Sequence, residues 1–334
     1  MTLENLQIKS GELQYSIDNN FKTYVEYSRY WHGYSFIIKL LLLMFDLDGI
    51  RNLFTISLIG LSIILLYLIN KKLGKMYVII FSIAFCMIDY FLCGLTLQGV
   101  LIMILMQVFS IFILQYYNNI KKYIYGLFLI LGMLTCYLDL LTTPIVTLFI
   151  PLIIYLLLEN KNNNLSLLDN IKICAKASFI WGISYIFTEL TKLVIVDLIY
   201  HNNALAKSFE QILYRTVSND LEKYHSFFLN FNVFDTITAN LKLAFNGPSI
   251  ILFIGLIVYI MNLLFKNKKK KNLKFNTASL IYLVISIVPF IWYILFKNHS
   301  YQHAFFTYRN LIITIVGFST FVFNIFKSDE RKKI

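Results

Sequence analysis

Residues 25–34 read VEYSRYWHGY. Ten positions hold a carboxylate, a guanidinium, an imidazole and four aromatic rings. A later stretch, NHSYQHAFFTYRN at 298–310, repeats the recipe with His299, His303, Tyr308 and Arg309. A positioned carboxylate can take a proton from an incoming hydroxyl. A guanidinium grips phosphate through two parallel N–H groups. Flat aromatic faces stack on sugar rings and settle at the lipid headgroup level. The set suits an anionic, lipid-linked sugar. Glu26 is the candidate base. Arg29, Tyr30, Trp31, His32, His303, Tyr308 and Arg309 are candidate substrate contacts. His299 and His303 stand at i,i+4 and can share a metal on a helix, but no third ligand accompanies them. No metal or cofactor is therefore expected.

Charges inside long apolar runs are the second source of chemistry, because each is costly to bury. There are five: Asp89, Asp139, Glu189, Lys192 and Asp197. All fall in the same-sided part of their runs, which points to a polar cavity opening on one face. Asp139 joins the candidate acids and Lys192 the candidate binding residues. Glu189 and Lys192 share a helix face at i,i+3 and can pair. The turn Asp139-Leu-Leu-Thr142-Thr143-Pro144 also suits capping of the next helix. The WGISY stretch at 181–185 suits helix packing through small residues. The sequence has no Gly-rich phosphate loop, no serine elbow and no CxxC. The four cysteines fall in or beside apolar runs without paired spacing, as core residues do.

These residues need elements to hold them. The 334-residue chain is 58% hydrophobic and 14% charged, with mean hydropathy +0.67. Soluble domains carry roughly a quarter charged residues. The fold class expected is all-α: a polytopic helical membrane protein with about nine spans. They fall near 52–70, 76–93, 96–116, 124–141, 143–158, 173–197, 249–265, 277–296 and 310–326. Pro144 starts the fifth, where a missing N–H costs nothing, and Pro151 is expected to kink it. Residues 36–45 are too short to cross and read as an interfacial helix. Eighteen of the 30 basic residues, Lys71, Lys122, Lys161 and the KNKKKKNLK run among them, fall in alternate loops or the tail with only four acids. That bias marks the cytoplasmic side, so the net charge of +12 is a topology signal and no nucleic-acid partner is expected. The N-terminus then lies outside and the C-terminus inside a plasma membrane, which makes the bilayer a partner. Residues 1–50 form an external segment, 51–327 the transmembrane domain with external loops at 198–248 and 297–309, and 328–334 a cytoplasmic tail.

Glu26-Tyr-Ser-Arg29-Tyr30 resembles the acidic motif in the first external loop of GT-C type glycosyltransferases. The aminoarabinose transferases and their relatives carry an acid followed three positions later by Arg-Tyr. The resemblance implies a multi-helix enzyme that takes a sugar from a polyprenyl-phosphate donor to a cell-envelope acceptor on the outer face. It implies Glu26 as base. It also implies a span before this loop, so an upstream apolar segment of about 20 residues is expected. Two other readings stand beside the enzyme: a transporter or flippase of a lipid-linked glycan, and a non-catalytic partner in envelope assembly. A transporter places its site near the midplane between paired broken helices, and the two halves show no repeat.

Overall fold

The computed structural model describes residues 30–139, 141–201, 203–216, 232–268 and 273–328. Glu26 and Arg29 lie outside them. The short apolar run folds as α1 (Gly33–Leu41) and a following turn. Nine residues extend about 14 Å, too short to cross. Phe36, Leu40, Leu43 and Met44 are exposed while Ile38 is buried, the two faces an interfacial helix needs.

Then come α2 (Leu47–Lys72), α3 (Lys75–Met87), α4 (Val100–Ile120) and α5 (Ile124–Leu138), the last two joined by a 3₁₀ turn at Lys121–Tyr123. Next are α6 (Pro144–Asn163), α7 (Leu167–Tyr200), α8 (Ala204–Thr216), α9 (Val233–Ala244) and α10 (Gly247–Lys268). The chain ends with α11 (Leu280–Leu295), the short α12 (Lys297–Gln302) and α13 (Ala304–Thr307), and α14 (Leu311–Asn324). A two-stranded antiparallel ribbon, β1 (Leu273–Phe275) with β2 (Phe326–Ser328), ties the segment before α11 to the end of α14.

Seven helical stretches are long and apolar enough to cross a membrane. The protein is thus an all-α polytopic membrane protein. One stretch, Val100–Leu138, contains both α4 and α5, and α3 is a shorter apolar helix. Local signals set several starts. Asp46 accepts from the Gly49 amide at 2.7 Å at the head of α2. Ser166 and Asp169 form a capping box at the head of α7. Asn232 caps α9.

Helices α6 and α14 form the centre of the bundle, with 89% and 72% of their apolar windows buried. Contacts distant in sequence fix the directions. The Tyr77 hydroxyl donates to Asn324 at one end and that of Tyr308 to the Ile88 carbonyl at the other, so α3 and α14 run antiparallel. Tyr117 donates to Glu159, which puts the end of α4 beside the end of α6. Lys176 lies over the Tyr125 ring, so α5 and α7 start together. Lys161 donates to the Lys72 carbonyl at 2.6 Å. The lysine-rich turns therefore share one end of the bundle. Gly132 lets α5 touch α7: a Cβ there would strike the Trp181 carbonyl and the Ser184 hydroxyl. That contact uses the WGISY stretch as a packing surface.

Three features differ from the sequence expectation. Helix α6 is one continuous helix across Pro151, with the residues on both sides of the proline buried in the bundle. The backbone leaves helical geometry instead at Tyr116 in α4. The 297–309 segment is no solvent loop: α12, α13 and a 3₁₀ turn at Tyr308–Asn310 fold into the bundle, with His299, Ser300, Thr307 and Arg309 buried. Its burial is possible because α9 supplies partners. Asn240 donates to the Ser300 carbonyl and accepts from the Thr307 hydroxyl, and Thr236 donates to the Lys297 carbonyl. Finally, α7 is 34 residues long. That is about 51 Å, well beyond the ~30 Å of a hydrocarbon core. Asp197, near its far end, accepts from the Ala204 and Leu205 amides and so caps α8.

Candidate functional site at the end opposite the lysines

Trp31 is the anchor of the first cluster. Its indole N–H donates to the Thr188 carbonyl of α7 at 3.0 Å, and its ring lies 5.8 Å from that of Tyr137 at the end of α5. His32 follows in the left-handed region at φ 53°, with the Tyr30 and Tyr34 rings each 6.1 Å away. Only glycine fits next. A Cβ on Gly33 would run into the ring and carbonyl of Tyr137. The start of α1 is therefore pressed onto the end of α5.

Asp139 sits two residues beyond Tyr137 and is 1% exposed. Its Oδ1 accepts from the amide and the hydroxyl of Thr142, closing the turn into α6. The chain turns there through Leu141 at φ 65°. On the facing helix, the Glu189 carboxylate accepts from the Cys136 thiol at 3.4 Å, and Lys192 lies within electrostatic reach of both. Tyr185 lies within reach of Asp139, Cys136, Glu189 and Tyr30. Four sequence candidates, Tyr30, Trp31, Asp139 and Lys192, thus meet between the end of α5 and the 185–192 stretch of α7. Five further residues, Cys136, Tyr137, Tyr185, Thr188 and Glu189, join them.

The second cluster is built by α12 to α14. His299 Nε2 is 2.8 Å from the Leu141 carbonyl, and the His303 ring is 4.8 Å from that of His299. This histidine pair links the Asp139 turn to the α12–α13 segment. Arg309 follows, only 8% exposed. Its Nη1 donates to the Phe305 carbonyl at 2.8 Å, and its guanidinium carbon lies 4.7 Å from the centre of the Tyr308 ring. The Tyr308 hydroxyl donates to Asp89 at 3.0 Å. Asp89 is held at φ 49° at the end of α3, and both it and Arg309 act electrostatically on Cys93.

Arg309 forms no ion pair among the described residues. Its Nε is buried without an acceptor among them. Both side-chain amide atoms of the neighbouring Asn310, 0% exposed, also lack partners there. Buried polar groups of folded proteins are nearly always hydrogen-bonded. The described residues supply no partner for these three atoms. A guanidinium there favours an oxyanion.

Glu26 and Arg29 fall outside the described residues, so the geometry concerns the candidates from Tyr30 onward. Sequence reasoning singled out Asp89 and Glu189 as costly charges, with Glu189 able to pair with Lys192, and put neither among the site residues. It did not find Asn310 or Tyr137, although each adjoins a candidate or lies two residues from one. Among the described residues, no three His, Cys, Asp or Glu side chains gather into a metal-binding group. No family model, curated protein or solved structure matches the chain.

Proposed function

We propose that the protein is a membrane glycosyltransferase of GT-C type, moving a sugar from a polyprenyl-phosphate donor to an envelope acceptor on the face opposite the lysine-rich turns. In this reading the chain crosses nine times, with α4 and α5 counted separately and α3 as a short crossing. The N-terminus is external, the C-terminus cytoplasmic and the membrane the plasma membrane. One observation carries the proposal: the buried guanidinium of Arg309, which among the described residues has a donor without an acceptor and no ion pair, at the end of the bundle away from the lysine-rich turns. It suits the donor phosphate. Lys192 and the Tyr30–Trp31 aromatics suit the charge and the sugar. Glu26 acts as base on the acceptor hydroxyl, which attacks the anomeric carbon as the bond to phosphate breaks. The proton passes to the carboxylate and the phosphate leaves on its lipid.

The test is binding of a prenyl-phosphate sugar to the purified protein. Arg309→Gln should weaken it about tenfold or more, as loss of a charge-assisted hydrogen bond does. Unchanged affinity in a folded Arg309→Gln variant removes Arg309 from the site. A transporter requires a path to both faces, and the clustering of these polar residues at one end favours the enzyme.

A further inference from the structure

Asp197 is one of the five costly charges and takes no part in the transferase reading. Its carboxylate accepts from the Ala204 amide and, at 3.1 Å, from the Leu205 amide. It belongs to the last turn of α7, which ends at Tyr200. Helix α8 therefore begins beside that turn and not further out. The turn between them sets His201 and Asn203 in the left-handed region, at φ 50° and 55°. A carboxylate at a helix start also meets the positive end of the helix dipole. Asp197 thus holds α8 at the end of a membrane-spanning helix.

Helix α8 has 13 residues. That is about 20 Å, too short to cross ~30 Å of hydrocarbon. Its surface divides into three strips. One packs inward: Ala204 joins Leu193 and Val196 of α7 in a small apolar cluster, Ser208 one turn on is buried as well, and α12 lies alongside. Next to it, Leu205, Phe209 and Ile212 stand at i, i+4 and i+7 and so form one stripe. They are 41%, 62% and 52% exposed. Lys207 and Glu210 are exposed on the side opposite the stripe. A helix that met water over its whole free surface would carry polar side chains on both free strips. Here only one is polar.

The place of the stripe says what it meets. Val194, Ile195, Leu198 and Ile199 of α7 are exposed and apolar, as the lipid-facing side of a spanning helix is. Leu205, Phe209 and Ile212 carry that apolar surface past the turn. At the same end of the bundle, α1 shows a similar division, with Phe36 and Leu40 exposed and Ile38 buried. A short helix with one apolar and one charged side, fixed to the end of a spanning helix, fits the plane of the interface with its apolar side sunk about 5–10 Å into the headgroup–acyl boundary.

We propose that α8 is a second interfacial helix, lying in the phospholipid leaflet away from the lysine-rich turns with Leu205, Phe209 and Ile212 among the acyl chains. The inference stands apart from the transferase reading and holds for either orientation of the bundle.

The test uses the full chain in liposomes of dioleoyl phosphatidylethanolamine and dioleoyl phosphatidylglycerol. The photoreactive p-benzoylphenylalanine replaces Phe209, Ile212 or Lys207, one at a time, and mass spectrometry identifies what each position captures on illumination. Phe209 and Ile212 should yield phospholipid adducts roughly fivefold or more above Lys207, because the first two face acyl chains and the third does not. Should the replacement at Phe209 prevent folding, Ile212 carries the same comparison. Equal lipid capture on the two sides of the helix would overturn the proposal, as would no lipid capture at Phe209 and Ile212. Adducts from the stripe mainly to a second copy, or mainly to residues 1–29 or 217–231 of the same chain, would also overturn it and name protein as the cover.

Discussion

Asp139 holds a turn together, and its proposed part in the chemistry can be separated from that structural part. Its Oδ1 takes two hydrogen bonds from Thr142 in a buried turn. Asp139→Ala leaves both donors without an acceptor. It should destabilise the protein by about 1–3 kcal/mol, seen as a lowered unfolding midpoint in detergent. Asp139→Asn keeps the acceptor and should restore most of that midpoint. If turnover also returns with Asn, the residue braces the turn. If stability returns and turnover does not, its charge takes part in the reaction. Trp31 is read similarly: Trp31→Phe keeps the ring against Tyr137 but loses the bond to the Thr188 carbonyl. It should loosen donor binding more than it lowers stability.

At the scale of elements, small residues decide how closely helices meet. Gly132 faces the Trp181 carbonyl and Ser184, whereas Gly126, on the same helix, has open space where a Cβ would go. Gly132→Leu should force α5 from α7 and cost roughly 1–3 kcal/mol, the usual toll of overpacking. Gly126→Leu should cost far less, and thermal unfolding of the pair checks it. Equal losses would mean that the α5–α7 contact does not depend on the glycine. The same scale explains what the sequence made legible. Helices α2, α10 and α11 announce themselves through long apolar runs. The 297–309 segment does not, because His299, Tyr308 and Arg309 lower its hydropathy and mimic a loop. Its burial depends on Thr236 and Asn240 of α9, about 60 residues earlier in the chain, which no local pattern reveals. The Tyr308–Asp89 bond spans 219 positions and was equally hidden. By contrast, the costly charges Asp139, Glu189 and Lys192 were visible one by one. What composition could not supply was their meeting between α5 and α7.

For the whole molecule, the lysine-rich turns and the described part of the candidate site occupy opposite ends of one bundle. That separation makes sidedness testable. Cysteines placed at Ser10 or Ser218 should react with an impermeant maleimide in intact cells, and one at Asn272 should react only after permeabilisation. Labelling of Asn272 in intact cells would invert the orientation and put the candidate site on the cytoplasmic face. The central claim is sugar transfer at the end away from the lysines, with Glu26 as base. It is tested most directly by incorporation of radiolabelled sugar from an added prenyl-phosphate donor into acceptor, in right-side-out vesicles carrying either the native chain or Glu26→Gln. The native chain should transfer label. Glu26→Gln, with its shape kept and its basicity gone, should transfer roughly 10²–10⁴-fold less while binding donor nearly as well. Equal transfer by the two chains, or none by the native chain with any prenyl-phosphate sugar offered, would contradict the account.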